Sequence, residues 1–172
     1  LNLERLLNAP EERVKTCIRP SGFFNVKYGR LMNLMQYVGD RGGIESLQTI
    51  SLDTLRRELL NVKGIGPETA DSILLYALGR PIFVVDAYTR RLFSRLGYAW
   101  TSETPYDHIQ TWFMAQLSGD VALYNEYHAL IVTHCKEICR KTPVCTDCEL
   151  ANICLYNRTL EQFVSDRHNA TQ

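Results

Sequence analysis

The 172-residue chain lacks net charge, with 19 basic and 19 acidic side chains. It also lacks any uninterrupted apolar run near the roughly 20 residues that cross a bilayer, so a membrane-spanning helix is excluded. The N-terminal stretch does not resemble a secretory signal: LNLERLLNAPEERVK carries charge from Glu4 onward, where a signal peptide would need an apolar core. No internal repeat and no low-complexity linker is present. An initiating Met is absent, Leu1 standing first, and the chain reads as a fragment or as trimmed at its N-terminus. What is there is 45% hydrophobic, too apolar for a disordered chain. The length suits one medium domain or two small helical lobes sharing a cleft.

The zero balance hides a gradient. Residues 56–95 hold 7 basic and 4 acidic side chains, whereas residues 96–134 hold no Lys or Arg and 4 carboxylates. A local basic surface can serve a nucleic-acid partner in a neutral chain, or simply be a solvated helix face.

Six cysteines are present. Cys17 stands alone, Cys135 falls on an apparent helix, and Cys139, Cys145, Cys148 and Cys154 follow as C-x5-C-x2-C-x5-C. Without a secretory signal a disulfide framework is disfavoured, and a reducing, cytoplasmic setting is expected. Four thiolates spaced in this way can converge on one metal centre, with two supplied by the Cys145-Thr-Asp-Cys148 turn. Spacing alone leaves zinc and a [4Fe–4S] cluster both open.

Helical periodicity runs through nearly the whole chain, predicting an all-α fold. Leu3, Leu6 and Leu7 open one stripe; Leu31, Leu34, Met35 and Val38 form another, broken by Gly39, Gly42 and Gly43. Ser51 is placed to cap a helix bearing Leu52, Leu55, Leu59 and Leu60. After the turn NVKGIGPE, Pro67 takes a first helical position and Ala70, Ile73, Leu74, Ala77 and Leu78 face inward. Gly79 ends that helix. The run Pro81–Val85 suits a short strand or a buried connector. Helices are predicted over 87–96, with Tyr88, Leu92 and Phe93 inward and Arg90, Arg91 and Arg95 toward solvent, then over 106–117 and 122–138. A polar tail is expected from about Asp166.

Residues 52–79 thus read as helix, hairpin, helix. In the turn, Gly64 and Gly66 flank Ile65, whose side chain can pin the turn between the helices. Glycines permit positive φ and let backbone amides approach a bulky anion at the head of the second helix. Together with Lys63 that makes a grip for a DNA phosphate that reads no sequence. An ordinary turn between two helices is the plainer alternative. Asp86, ending an apolar run and starting a helix, reads first as an N-cap. Hydrogen bonds and the helix dipole would keep its carboxylate ionised. Such a carboxylate can also stabilise an oxocarbenium-like sugar and orient water at C1′.

The stretch VKGIGPETADSILLYALGRPIFVVDAYTRR resembles the helix-hairpin-helix and Gly/Pro…Asp signature of the endonuclease III superfamily of DNA glycosylases. The late cysteines resemble that family's [4Fe–4S] loop, and IRPSGFFNVKYGRL its segment before the hairpin. The resemblance covers most of residues 10–156. It implies two helical lobes, 1–80 with the hairpin and 81–172 with the catalytic aspartate and cluster loop, and a DNA-binding cleft between them. It further implies base-excision repair on double-stranded DNA by a monomer with no membrane partner. Asp86 becomes the catalytic aspartate, Lys63, Gly64, Ile65, Gly66 and Glu68 the DNA-contacting hairpin, and Cys139, Cys145, Cys148 and Cys154 the cluster ligands. On that ground iron–sulfur is preferred to zinc.

Three departures shape the expected chemistry. Bifunctional members carry a lysine where this chain has Glu68, and a carboxylate forms no Schiff base. Glu68, RPSGFFN and GIGPETADSILLYA are most similar to the superfamily's 3-methyladenine glycosylases, which generally lack the cluster. The first cysteine gap is x5 instead of x6, with Cys135 a reserve ligand one turn earlier. Finally, an earlier helix with a polar residue that fills the flipped base's space precedes the hairpin in family members, and nothing before Leu1 supplies it here. The reading is a monofunctional glycosylase releasing a damaged or mismatched base, with Glu68 and Tyr88 near the pocket. Phe23, Phe24 and Tyr28 are expected in the core, with base stacking the alternative. Its rivals are a glycosylase/lyase using Lys63 and a non-catalytic DNA-binding module with a structural metal.

Overall fold

The structure, a computed structural model, describes residues 2–160 and 162. Among these residues all regular structure is helical and no strand forms. Contacts divide the chain into two compact units, Leu1–Arg80 and Pro81–Gln172.

In the first unit α1 (Leu3–Leu7) and α2 (Glu11–Ile18) pack on α3 (Phe24–Asp40). Gly42 and Gly43, at φ 83° and 104°, turn the chain after α3 in conformations that side chains resist. A single turn, α4 (Ile44–Leu47), leads to α5 (Leu52–Asn61). Ser51 precedes α5 as expected, but its hydroxyl donates to Thr54 Oγ1 at 2.9 Å and makes no bond to a helix amide. Leu55 and Leu59 are fully buried.

Pro67 opens α6 (Pro67–Ser72), which continues as one π turn over Ile73–Ala77. The Leu78 amide donates to the Ile73 carbonyl, five residues back, at 3.2 Å. Gly79 at φ 61° then closes the helix, with the Arg80 amide bonding the Leu74 carbonyl at 2.8 Å. The buried stripe is Ala70, Asp71, Leu74, Leu75 and Leu78. Ala77, expected inward, is exposed, because the wide π turn places an extra residue in the register.

Phe23 corrects the expectation of a core residue. It precedes α3 in the left-handed region at φ 48°, and its side chain is 87% exposed. Phe24 and Tyr28 are half-buried.

The second unit begins with the apolar run, which is a buried connector. Ile82, Phe83, Val84 and Val85 are all buried, and two of their backbone groups are paired by side chains instead of a neighbouring strand. Tyr106 Oη accepts the Val85 amide at 3.2 Å, and Gln110 Nε2 donates to the Phe83 carbonyl at 2.6 Å. Helices α7 (Ala87–Leu96), α8 (Tyr106–Gln116) and α9 (Val121–Glu137) follow. Phe83 stacks on Phe113 at 4.1 Å, and Tyr124 meets it edge-on at 5.6 Å. Cys139 follows α9; Cys145 opens a 3-10 turn over Cys145–Asp147 that Cys148 ends, Cys154 ends a second over Ala151–Ile153, and residues 155–160 are helical. The polar tail from Asp166 lies outside the described residues. No helix among the described residues is long and apolar enough to cross a membrane.

The basic excess of residues 56–95 is mostly spent inside the units. Arg56 pairs with Asp71, and Arg80 bonds the carbonyls of Gln48 and Ile50. Arg90, Arg91 and Arg95, expected to face solvent, are half-buried and bond backbone carbonyls of their own unit. That leaves Arg57 and Lys63 as the exposed cations of the segment.

Candidate functional site

The hairpin is closed by the Ile65 amide bonding the Val62 carbonyl at 3.0 Å. Ile65 is buried, pinning the turn as its position predicted, while Lys63, Gly64, Gly66 and Glu68 are exposed. The two glycines differ. Gly64 sits at φ 93°, and a Cβ there would come 2.5 Å from Cγ of Arg30. Gly66 has φ −97°, ordinary extended backbone, and open space around it; the expectation that both need glycine's freedom is corrected to Gly64 alone. From α3, Asn33 Nδ2 donates to the Lys63 carbonyl at 2.9 Å. Between α5 and α6, Arg56 grips the fully buried Asp71. Three separate contacts therefore fix the turn's shape while its outer backbone stays open to a ligand.

Asp86 caps α7. Its Oδ1 accepts the Thr89 amide at 2.7 Å and the Thr89 hydroxyl at 2.9 Å. His128 Nε2, from α9, stands 3.5 Å from Oδ2. The aspartate is buried but not sealed, at 9% exposure. Burial alone would raise its pKa, but the bonds from His128 and Thr89 outweigh that and hold the carboxyl below its ordinary value. This is a charged, fixed carboxylate with one oxygen tied to the helix head and the other facing an imidazole. Tyr88 is half-buried beside it.

Sequence reasoning missed His128. The available signal was its place in the stripe Tyr124, His128, Ile131, Cys135, the buried face of α9. A histidine on such a face calls for a polar partner.

Cys139, Cys145, Cys148 and Cys154 line one small cavity together with His134 and Arg95. Arg95 donates to Cys139 Sγ at 3.2 Å and to the carbonyls of Arg140 and Lys141. The Cys135 thiol and the Arg95 guanidinium favour the Cys139 thiolate, pulling its pKa down to about 5 against the effect of burial. His134 Nε2 is 3.6 Å from Cys148 Sγ. Cys135, the reserve ligand, is held instead toward the Tyr88 carbonyl, and its bond to Cys139 followed by burial pushes its thiol up. Among the described residues no three His, Cys, Asp or Glu side chains are grouped to hold a single ion. Four thiols in one cavity are a donor set that either a tetrahedral zinc or an iron–sulfur cluster can use.

Residues 1–113 match the profile of the HhH-GPD superfamily of base excision DNA repair proteins. The chain belongs to that family. It is 48% identical over 154 residues to a Methanocaldococcus jannaschii protein named as a DNA repair glycosylase, covering 88% of this chain and 70% of that one. The structure of H. pylori 3-methyladenine DNA glycosylase, bound to 1,N6-ethenoadenine, superposes with a TM-score of 0.66 at 31% identity, over 79% of this chain and 67% of that one. An endonuclease III–DNA complex shares the fold, with a TM-score of 0.74 at 21% identity over 93% and 71%. The HhH-GPD chain is accordingly a DNA glycosylase of base-excision repair, a DNA-binding enzyme that acts on N-glycosidic bonds.

Proposed function

We propose that this glycosylase is monofunctional, hydrolysing the bond between deoxyribose and a damaged or mismatched base in double-stranded DNA. The reading is carried by Asp86, a buried and hydrogen-bonded carboxylate kept ionised at the head of α7. As the base leaves, positive charge develops on the sugar. A fixed anion lowers the energy of that state more than it lowers the ground state, and it can orient water toward C1′. Water then supplies the hydroxyl, and its proton leaves through the carboxylate or solvent.

The turn holds the strand through the amides near Gly64, Gly66 and Glu68, aided by Lys63. Glu68, exposed on the first turn of α6, offers no amine for a Schiff base, which favours hydrolysis over strand cleavage. Phe23, held outward, suits stacking against a base. A [4Fe–4S] cluster on Cys139, Cys145, Cys148 and Cys154 is preferred to zinc on the likeness to endonuclease III relatives, the four thiols by themselves suiting either. When bound it supplies a rigid cross-link for the loop. The protein's own residues do the chemistry at the sugar.

Base release from a panel of duplexes, each bearing an alkylated purine, an oxidised pyrimidine, or uracil or thymine opposite guanine, tests this. Release by wild type, abolished in Asp86→Asn, with no adduct on borohydride reduction over abasic-site DNA, is expected. Undiminished release by Asp86→Asn overturns it, and a trapped adduct lost in Lys63→Ala establishes the lyase instead.

A further inference from the structure

The Asp86 carboxylate is held by two different elements. Thr89 supplies both donors to Oδ1 from α7, the helix that Asp86 itself caps. Local sequence alone fixes that half: an N-cap aspartate with threonine three residues on is a short-range device. It does not fix the other oxygen. A carboxylate tethered through one oxygen can still rotate about its side-chain torsions, and Oδ2 is the atom left for work at the sugar.

His128 meets that second oxygen from α9, 42 positions away in sequence, with Nε2 at 3.5 Å and both side chains 11% exposed. The imidazole has little freedom itself. It lies on the buried face of α9 between Tyr124 and Ile131, and its ring stands edge-on to Phe83 at 6.5 Å and 90°. Phe83 is fully buried in the same connector that delivers Asp86. The aromatic core that seats the connector therefore also seats the histidine facing it.

We infer that His128 is a positioning residue for the glycosylase reaction, donating from Nε2 to Asp86 Oδ2 so that the carboxylate is held in one orientation. The inference rests on the catalytic reading of Asp86 and deepens it. A neutral imidazole with its proton on Nε2 is the useful form, because it orients the anion without cancelling its charge. An imidazolium would pair with the carboxylate and weaken the field felt by the developing cation. A packing role would need only the ring's volume; this role needs the donor. Misorientation of a reacting group by a fraction of an ångström to an ångström lowers rates on the order of 10- to 100-fold.

The test uses single-turnover base release from whichever duplex of the panel wild type processes fastest, and affinity for a duplex holding a tetrahydrofuran abasic-site analogue. His128→Leu keeps the volume without the donor, and His128→Gln restores an N–H donor. The expected result is release slowed about 10- to 100-fold in His128→Leu, largely recovered in His128→Gln, with analogue affinity unchanged in both. Thermal unfolding checks each variant, and His128→Met replaces the leucine variant if that does not fold. Wild-type release by the leucine variant, while Asp86→Asn is inactive, overturns the role of His128 and spares Asp86. So does a glutamine variant as slow as the leucine one. Undiminished release by Asp86→Asn overturns the reading of Asp86 itself.

Discussion

Arg56 and Asp71 join the two helices of the hairpin through paired hydrogen bonds, Nε to Oδ1 at 2.7 Å and Nη2 to Oδ2 at 3.1 Å. The carboxylate is fully buried, and the arginine is 20% exposed. Removing Asp71 takes away the carboxylate that the half-buried Arg56 guanidinium grips, so Asp71→Leu is expected to cost about 3 kcal/mol in urea unfolding. The double variant Arg56→Met with Asp71→Leu should recover most of that loss, because both charges leave together. A double variant as unstable as Asp71→Leu would show that the pair acts through something other than mutual neutralisation.

Gly64 and Gly66 make a paired prediction. Alanine at 64 must adopt φ 93° and push against the Arg30 stem, so Gly64→Ala is expected to lose about 1–2 kcal/mol and weaken DNA binding. Gly66→Ala, on extended backbone with nothing near, should stay within about 0.5 kcal/mol of wild type. Thermal unfolding of the two variants decides it. Equal losses would mean that Gly66 is used for something its backbone does not reveal.

Much of this was readable in the sequence because it is local. The inward face of α5, Pro67 at a helix start, Ile65 as the plug and Asp86 as an N-cap all follow from spacing within a few residues. What was not readable is non-local. Nothing near Arg91 or Arg95 announces that their partners are carbonyls more than 40 residues on; on spacing alone they look like a solvated face. Five of the seven basic side chains of residues 56–95 are thus turned to partners within their own unit, leaving Arg57 and Lys63 exposed. Phe23 was misread because hydrophobicity predicts burial, whereas its left-handed backbone beside Gly22 turns the ring outward. His128 sat on a legible stripe, but its partner lies at the far end of a connector that periodicity could not place.

Tyr37 gives an alkaline signature. Burial, then the bond from its hydroxyl to Glu58 Oε2 at 2.7 Å, push its pKa up to about 12 from 10.0. The folded state therefore holds the phenol proton more tightly than the unfolded chain. Stability from this group is complete below pH 10 and is lost as pH rises from 10 toward 12. Tyr37 is half exposed to solvent, so the effect is discounted to about 1 kcal/mol or less. Urea unfolding at pH 9 and 11 should show a smaller loss in Tyr37→Phe than in wild type. An identical loss in the two would remove Tyr37 as its source.

Arg95 predicts how the cysteine loop depends on α7. Its guanidinium reaches Cys139 Sγ and the carbonyls of Cys139, Arg140 and Lys141, and it covers the Tyr156 ring at 4.9 Å. One side chain thus ties the first proposed ligand and the residues after it to the helix that Asp86 caps. Protein purified without oxygen should carry iron and sulfide with broad visible absorption, reduced in Cys148→Ser. In Arg95→Met the ligands remain but their anchor is gone. The group should then be lost faster on exposure to chelator, and proteolysis within 140–154 should rise. Stoichiometric zinc without iron in wild type would overturn the cluster assignment. Unchanged chelator kinetics in Arg95→Met would show that the thiols hold the loop without the arginine.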